Sequence, residues 1–454
     1  GYNDLRRSST SAAGLGGSVS LNGGRTFVGF GFGPIQAGLF LYEAFRSGNY
    51  GRLVVAEVAP DLVRSVRQAR GFFSVNIAHF DRRETVAIGP VEILDPGSNQ
   101  DRRVLIEAVS QAQEIATAVP SVQSYVSRGC SSLHNILGEG LREKARAHLP
   151  RAVVYAAENH NRAAEILESE VLAVIPADEQ SEVQSSVRFL NTVVGKMSGV
   201  VTDPEEIRKQ GLAEITPFQP RAFLVEAFNR ILISQICFPG EPPFQRGIAV
   251  FDEKPDLLPF EEAKLYGHNA THALAAFVGA VLGVRRISEL PEFPGVLPFL
   301  EAAFTLESGK TLIRRHGGAD PLFTPEGYRE YALDLIARMT NPFLLDTVER
   351  VGRDPGRKLG WEDRLLGTMR IALRHGVWPR RYAFGAAAAL AALNPTLLET
   401  EVPASAALDP LWAESSHDPL ERQAALGCIE EGRGKLKLWM RDGFPDLEER
   451  FGGQ

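Results

Sequence analysis

A five-residue run at 26–30, Thr-Phe-Val-Gly-Phe, passes straight into Gly31-Phe32-Gly33-Pro34-Ile35-Gln36-Ala37-Gly38, which opens a helical pattern reaching residue 46. A strand that turns within three residues into a helix needs backbone freedom that glycine supplies without steric cost. This junction commits the start of the chain to a strand–turn–helix unit, and the residues that follow repeat the alternation. Short apolar runs at 53–57, 73–77, 91–94, 114–119 and 152–157 read as strands, with helical stretches such as 104–111 and 133–147 between them. Strands separated by helices are joined by right-handed crossovers into a mostly parallel sheet. After about residue 200 the texture changes: prolines punctuate 203–220 and 238–244, and from about residue 260 nearly everything reads as helix, including the Ala-rich 386–393.

The same turn has a chemical reading. Gly31 and Gly33 let a pyrophosphate approach the backbone and sit on the free N–H groups that open the helix, whose first turn is Pro34, Ile35 and Gln36. The place of a third glycine in G-x-G-x-x-G is taken by Gln36, with Gly38 two residues on. Glu57 closes the second strand 26 residues after Gly31, where a carboxylate binds ribose hydroxyls. No arginine follows it immediately (Val58-Ala59-Pro60 come next) to meet a 2′-phosphate, so NAD is the expected cofactor rather than NADP. The expected fold class is therefore α/β: a Rossmann-type NAD-binding domain with a mostly parallel sheet over 25–202, then a mainly α-helical substrate and catalytic domain over 203–454. A Ser- and Gly-rich segment at 1–24 reads as a loose tail.

Composition narrows the partners. The 454 residues carry 49 Lys and Arg against 56 Asp and Glu, a formal net charge of −7 that leaves no concentrated basic footprint for a nucleic acid. No apolar run approaches the ~20 residues of a membrane span, and 1–24 holds no apolar core of a secretory signal. Cys130, Cys237 and Cys428 lie far apart in sequence, as in a reducing compartment, so a cytoplasmic location is expected. The nine histidines show no H-E-x-x-H and no cluster with cysteines, and no metal site is expected. His134 and His268 read as polar surface and the four tryptophans as core. Nothing here fixes the oligomeric state.

The most informative stretch is 258–273, in which Glu261, Lys264, Asn269 and His272 follow E-x-x-K-x-x-x-x-N-x-x-H. On one α-helix they lie at about 60° (Glu261), 80° (His272) and 140° (Asn269) from Lys264, a single arc. Such a polar arc is either the solvated stripe of an amphipathic helix or a catalytic set. Oxidising an alcohol by hydride transfer requires a base for the hydroxyl proton, and a desolvated lysine serves. Asn269 can donate to the oxygen as negative charge develops, His272 can bind a hydroxyl, and Glu261 can pass the proton to water.

This K-x-x-x-x-N-x-x-H spacing resembles that of the polyol-specific long-chain dehydrogenases, the mannitol dehydrogenase family, and the resemblance extends over 25–393. It implies an N-terminal Rossmann domain, a helical C-terminal domain and NAD-dependent oxidation with a lysine base and no metal. Thr117-Ala118-Val119-Pro120 resembles the strand end beside the cofactor, and Glu158-Asn159 the pair whose asparagine joins Asn269 at the reacting oxygen. Val225-Glu226 fits as well. Residues 341–359 resemble the branch acting on mannitol 1-phosphate, which implies a substrate phosphate held by Arg350, Arg353, Arg357 and Lys358. The other reading of that cluster is ion pairing with Asp346, Asp354 and Asp363. One departure stands out: where the family carries a Val-Asp-Arg-Ile-like segment, this chain has Val194-Gly195-Lys196-Met197. Gly195 replaces the acid, and Lys196 takes the arginine position, from which it can contact a hydroxyl or phosphate. The expected activity is interconversion of mannitol 1-phosphate and fructose 6-phosphate. The same chemistry on an unphosphorylated polyol, a hexuronate or another sugar derivative stays open, as does a catalytically idle NAD-binding protein.

Overall fold

The computed structural model describes residues 24–228, 230–240 and 242–452, so all of the 1–24 tail but Gly24 lies outside the described residues. Its strands are β1 (Thr26–Phe30), β2 (Arg52–Ala56), β3 (Phe73–Ala78), β4 (Arg83–Ile88), β5 (Glu92–Leu94) and β6 (Glu114–Thr117). They continue as β7 (Ala152–Ala156), β8 (Val187–Val193), β9 (Ser198–Val201), β10 (Ala222–Glu226), β11 (Ile231–Ser234) and β12 (Phe251–Lys254). Eight of them form one sheet in the order β12-β11-β8-β7-β6-β1-β2-β5. Every pairing in it is parallel except that of β11 with β8. The mostly parallel α/β sheet expected from the sequence is present.

Alternation along the strands gives the sheet an apolar core on each face: Phe27 packs with Val55 and Val153 on one side, Val28 with Val54 and Val154 on the other. The strand order reverses at β1, whose neighbours β2 and β6 lead to opposite edges. In open α/β sheets the crevice outside the strand ends at such a reversal is where ligands bind. The turns leaving β1, β2, β6 and β7 carry Gly31, Glu57, Ala118 and Asn159, all beside this point.

A second sheet, ordered β4-β3-β10-β9, lies against the nucleotide turn, with the Phe32 ring 4.9 Å from Phe73 and 5.5 Å from Phe223. β10, β11 and β12 all follow residue 202 yet complete the two sheets. The change to purely helical chain therefore comes after Lys254, later than the proline-rich 203–220 suggested, because those prolines lie in connections between strands. From Leu258 on, helices pack around Ala270–Leu282, Arg380–Leu393 and Pro419–Arg441. Trp361, Trp412 and Trp439 are buried among them, whereas Trp378 is 49% exposed. Among the described residues no helix is long and apolar enough to cross a membrane.

Candidate active site

A cleft of about 860 Å³ runs along the ends of β1, β2, β6 and β7. Gly31 has φ +85°, and its amide donates to Ala56 O at 2.9 Å, so the turn closes against β2. Any Cβ there would fall onto Ala118 O, whereas one at Gly33 would meet nothing within 4 Å. Gly31 is thus required by the backbone, and Gly33 leaves space open where the helix amides begin. Pro34, Ile35, Ala118 and Val119 line the same cleft. The Glu57 carboxylate accepts from the amides of Phe32 (2.8 Å), Val58 (2.9 Å) and Ala59 (3.0 Å), which ties it to the turn at the end of β2. Glycine turn, open helix start and strand-end carboxylate together fit a dinucleotide.

Two residues expected at the cofactor stand behind the cleft wall instead. Gln36 is fully buried and donates to Phe30 O (3.2 Å) and Ala116 O (3.0 Å), because its side chain fills the volume that Gly29 leaves on the strand. The missing third glycine of the turn is thereby exchanged for one on β1. Thr117 is also buried, donating to Glu158 Oε1 at 2.7 Å, while Glu158 Oε2 accepts from Val119 N at 2.9 Å. Glu158 braces the cofactor wall from inside, and burial raises its carboxyl pKa.

The stretch that carries the candidate base departs from the expected single α-helix. Leu258–Ala263 and Ala270–Leu282 are α-helical, but Lys264–Asn269 between them is a π-turn. Its hydrogen bonds span i→i+5, so Asn269 stands above Lys264 instead of well around the helix. Lys264 and Asn269 share a cavity of about 380 Å³ with Asn159 and Glu261, and another of about 280 Å³ with Asn159 and His272. Asn159 and Ile35 also line the dinucleotide cleft, so these cavities open from it. Lys264 Nζ reaches Asn159 Oδ1 at 3.5 Å. Burial lowers the lysine to a pKa of about 8, the Arg364 charge helps, and Glu261 opposes. Burial raises Glu261 to about 7, with the charges of Glu165, Asp256 and Glu262 adding to it. Acid and base are thereby brought within about one unit of each other at neutral pH.

His272 Nε2 lies 2.6 Å from Asp346 Oδ2, and the other oxygen of that carboxylate takes a hydrogen bond from Arg350. Burial works to raise Asp346, but His272 and Arg350 hold it below the usual carboxylate range. Arg350 also donates to Ser198 O at 3.0 Å and lines the cavity of about 280 Å³ with Lys196. The rest of the basic cluster does not reach these cavities. Arg353 and Arg357 are exposed, and the buried Lys358 donates a hydrogen bond to Arg353 O, because Asp354 at φ 55° caps the short helix Pro355–Lys358 and turns it aside. In their place Arg364, paired with Asp363 at 2.9 Å, lines the cavity beside Lys264.

His268 and His134 are both buried, against their reading as polar surface. His134 Nδ1 lies 2.6 Å from Ser132 Oγ, and His268 lines the Lys264 cavity, its ring 6.1 Å from that of His272. Burial, then the charges of Arg338, His272 and Lys264, keep His268 well below its ordinary pKa and so neutral. Lys196 is buried, and burial brings it to about 8 while Glu226 and Glu43 work to raise it.

Residues 256–426 match the family model described as mannitol dehydrogenase C-terminal domain. A mannitol-1-phosphate 5-dehydrogenase of Bacillus pumilus (strain SAFR-032) is 32% identical over 339 residues, covering 74% of this chain and 81% of the relative. The chain belongs to the mannitol dehydrogenase family, and it is an oxidoreductase of that family. The Bacillus subtilis (strain 168) mannitol-1-phosphate 5-dehydrogenase is 29% identical over 404 residues, 86% of this chain and 96% of its own. Among solved structures, a Pseudomonas fluorescens mannitol 2-dehydrogenase ternary complex with NAD and D-mannitol aligns with a TM-score of 0.69 at 15% identity, covering 94% of each chain. A substrate-free D-sorbitol dehydrogenase aligns with a TM-score of 0.72 at 15% identity, covering 93% of this chain and 94% of its own. The family architecture, a Rossmann-type part followed by a helical part, is the one described above.

Proposed function

We propose that the chain is an NAD-dependent polyol dehydrogenase that interconverts mannitol 1-phosphate and fructose 6-phosphate. The observation that carries this reading is the π-turn, which stacks Lys264 and Asn269 in one cavity with Asn159, at the mouth of the dinucleotide cleft. The curated relatives at about 30% identity, named for mannitol 1-phosphate, support the substrate.

Bound NAD supplies the hydride acceptor. Neutral Lys264 takes the proton of the reacting hydroxyl, and Glu261 passes it on to water. Asn159 and Asn269 donate to the oxygen as it becomes a carbonyl. His272, held by Asp346, orients the substrate. Lys196 and Arg350 offer the substrate phosphate charge-assisted hydrogen bonds, with Arg364 on the Lys264 side. Glu57 holds the adenosine ribose and disfavours a 2′-phosphate by like charge. The α/β part through Lys254 serves the cofactor and the helical part supplies the base. Cys130, Cys237 and Cys428, all free thiols, support a cytoplasmic setting.

The test is NADH formation with mannitol 1-phosphate and mannitol, repeated with Lys264→Ala. The variant is expected to lose about 10²–10⁴-fold in kcat while NADH binding, read by fluorescence, is unchanged. Turnover within about tenfold of the parent would sink the assignment of the base.

A further inference from the structure

Gly195 is a glycine that neither backbone nor packing requires. Its φ lies outside the left-handed region, and a Cβ built on it would meet His268 Nδ1 at 3.7 Å and a Phe228 ring carbon at 3.8 Å, ordinary contact distances. The missing side chain therefore leaves room instead of relieving a clash. That room lies at a junction. Gly195, Lys264 and His268 line the cavity of about 280 Å³ beside Arg350, and the same three line a further cavity of about 380 Å³. This further cavity shares no lining residue with the dinucleotide cleft, so it extends the substrate side alone.

Its size falls in the range of about 300–1,000 Å³ found for small-molecule sites. Its lining combines the rings of Phe228, Phe260 and Tyr331 with the carboxylates of Asp320, Glu330 and Asp334. Arg338 lies 3.6 Å over the Phe228 ring and holds it in place. Among the lining cations Arg338 bonds Glu226 at 2.7 Å and Asp334 at 3.4 Å, while Arg230 and Lys264 complete the set; Lys254, outside the lining, pairs with Asp320 at 3.3 Å. Aromatic faces take the C–H faces of a sugar ring, and carboxylates accept from its hydroxyls.

We propose that the cavity beyond Gly195 is a second carbohydrate subsite, through which the site accepts a polyol carrying a glycosyl group on its terminal hydroxyl. This rests on the dehydrogenase reading and deepens it. The chemistry is unchanged: the reacting hydroxyl gives its proton to Lys264, the adjacent C–H bond gives hydride to the nicotinamide, and the glycosidic bond stays intact.

The test uses 1-O-α-D-glucopyranosyl-D-mannitol against mannitol and mannitol 1-phosphate, on the full chain and on Gly195→Leu and Leu322→Trp, both at residues that line the cavity. Parent kcat/KM for the glucosylmannitol is expected to exceed that for mannitol by at least about tenfold, and each variant is expected to lower that ratio by at least about tenfold. Calorimetric titration with glucosylmannitol in the presence of NADH supplies a second readout, saturating in the parent and weakened in both variants. If the parent oxidises mannitol or its phosphate but neither binds nor oxidises glucosylmannitol, the subsite is overturned. It is equally overturned if both variants lower all substrates alike. If no polyol or polyol phosphate is oxidised, the dehydrogenase reading fails, and the titration still decides the subsite by itself.

Discussion

Lys264 carries the clearest consequence at the scale of single residues. With its pKa brought down by burial to about 8 from 10.5, it is mostly protonated below that pH and mostly neutral above it. Alcohol oxidation needs the neutral amine, so kcat/KM for oxidation is expected to rise roughly tenfold per pH unit up to about 8 and then level. Ketone reduction needs the ammonium, so its kcat/KM is expected to fall as pH rises through the same point. Steady-state profiles in both directions check this, and a flat oxidation profile between about pH 6 and 9 would count against Lys264 as base. Lys264, Asn269 and His272 were readable as a candidate set because they sit within nine positions of one helical segment. Arg364 and His268 were not. Arg364 arrives from a helix start 100 residues further on, with no local pattern to announce it, and a histidine's burial is decided by what packs over it.

At the scale of elements, the π-turn and the nucleotide turn each solve a spacing problem that periodicity alone does not reveal. An α-helix places positions i and i+5 far apart in angle, and the widened turn brings them together. Packing accompanies it: a Cβ on Gly267 would come within 2.7 Å of the Tyr328 hydroxyl, so only glycine lets that helix close on its neighbour. Nothing in the residues Lys-Leu-Tyr-Gly-His-Asn marks such a turn, which is why a regular helix was the natural reading. In the nucleotide turn, by contrast, Gly31 and Glu57 were legible because backbone and charge dictate them, while the burial of Gln36 follows from its neighbour Gly29. That exchange is testable. Gly29→Ala would place a Cβ 2.6 Å from the Gln36 side chain and is expected to lower stability by about 1–3 kcal/mol. Adding Gln36→Ala removes the clash, so a double-mutant cycle by denaturant unfolding is expected to show coupling of about 0.5–3 kcal/mol. Strict additivity would mean the two positions do not share that space.

For the molecule as a whole, Arg338 joins the two textures of the chain. From the helix Pro325–Met339 it donates to both oxygens of Glu226 at the end of β10, at 2.7 and 3.1 Å, and to Gly195 O at 2.6 Å. Glu226 is buried and also accepts from Met197 N at 2.7 Å, so the clamp fixes the 195–197 segment against the helices. Arg338→Ala leaves that carboxylate buried without its cation and is expected to cost about 3–5 kcal/mol, read from the unfolding midpoint and its slope. A loss below about 1 kcal/mol would show that the interface does not depend on the pair. Charge pairs of this kind were invisible in sequence, because 112 positions separate the partners.

The pairing of β3 with β10 also sets an order of assembly during synthesis. β3 is complete at Ala78, but its parallel neighbour begins only at Ala222. Roughly 140 residues must be made in between, on the order of ten seconds of translation. Through that interval the hairpin of β3 and β4 waits with one edge open, and the large sheet lacks the strands that follow β8. Contacts so distant in sequence are slow to form. The α/β part therefore cannot finish folding as an early unit: it closes only when chain well beyond its own glycine turn and crossovers has emerged, almost at the threshold of the helices that begin at Leu258.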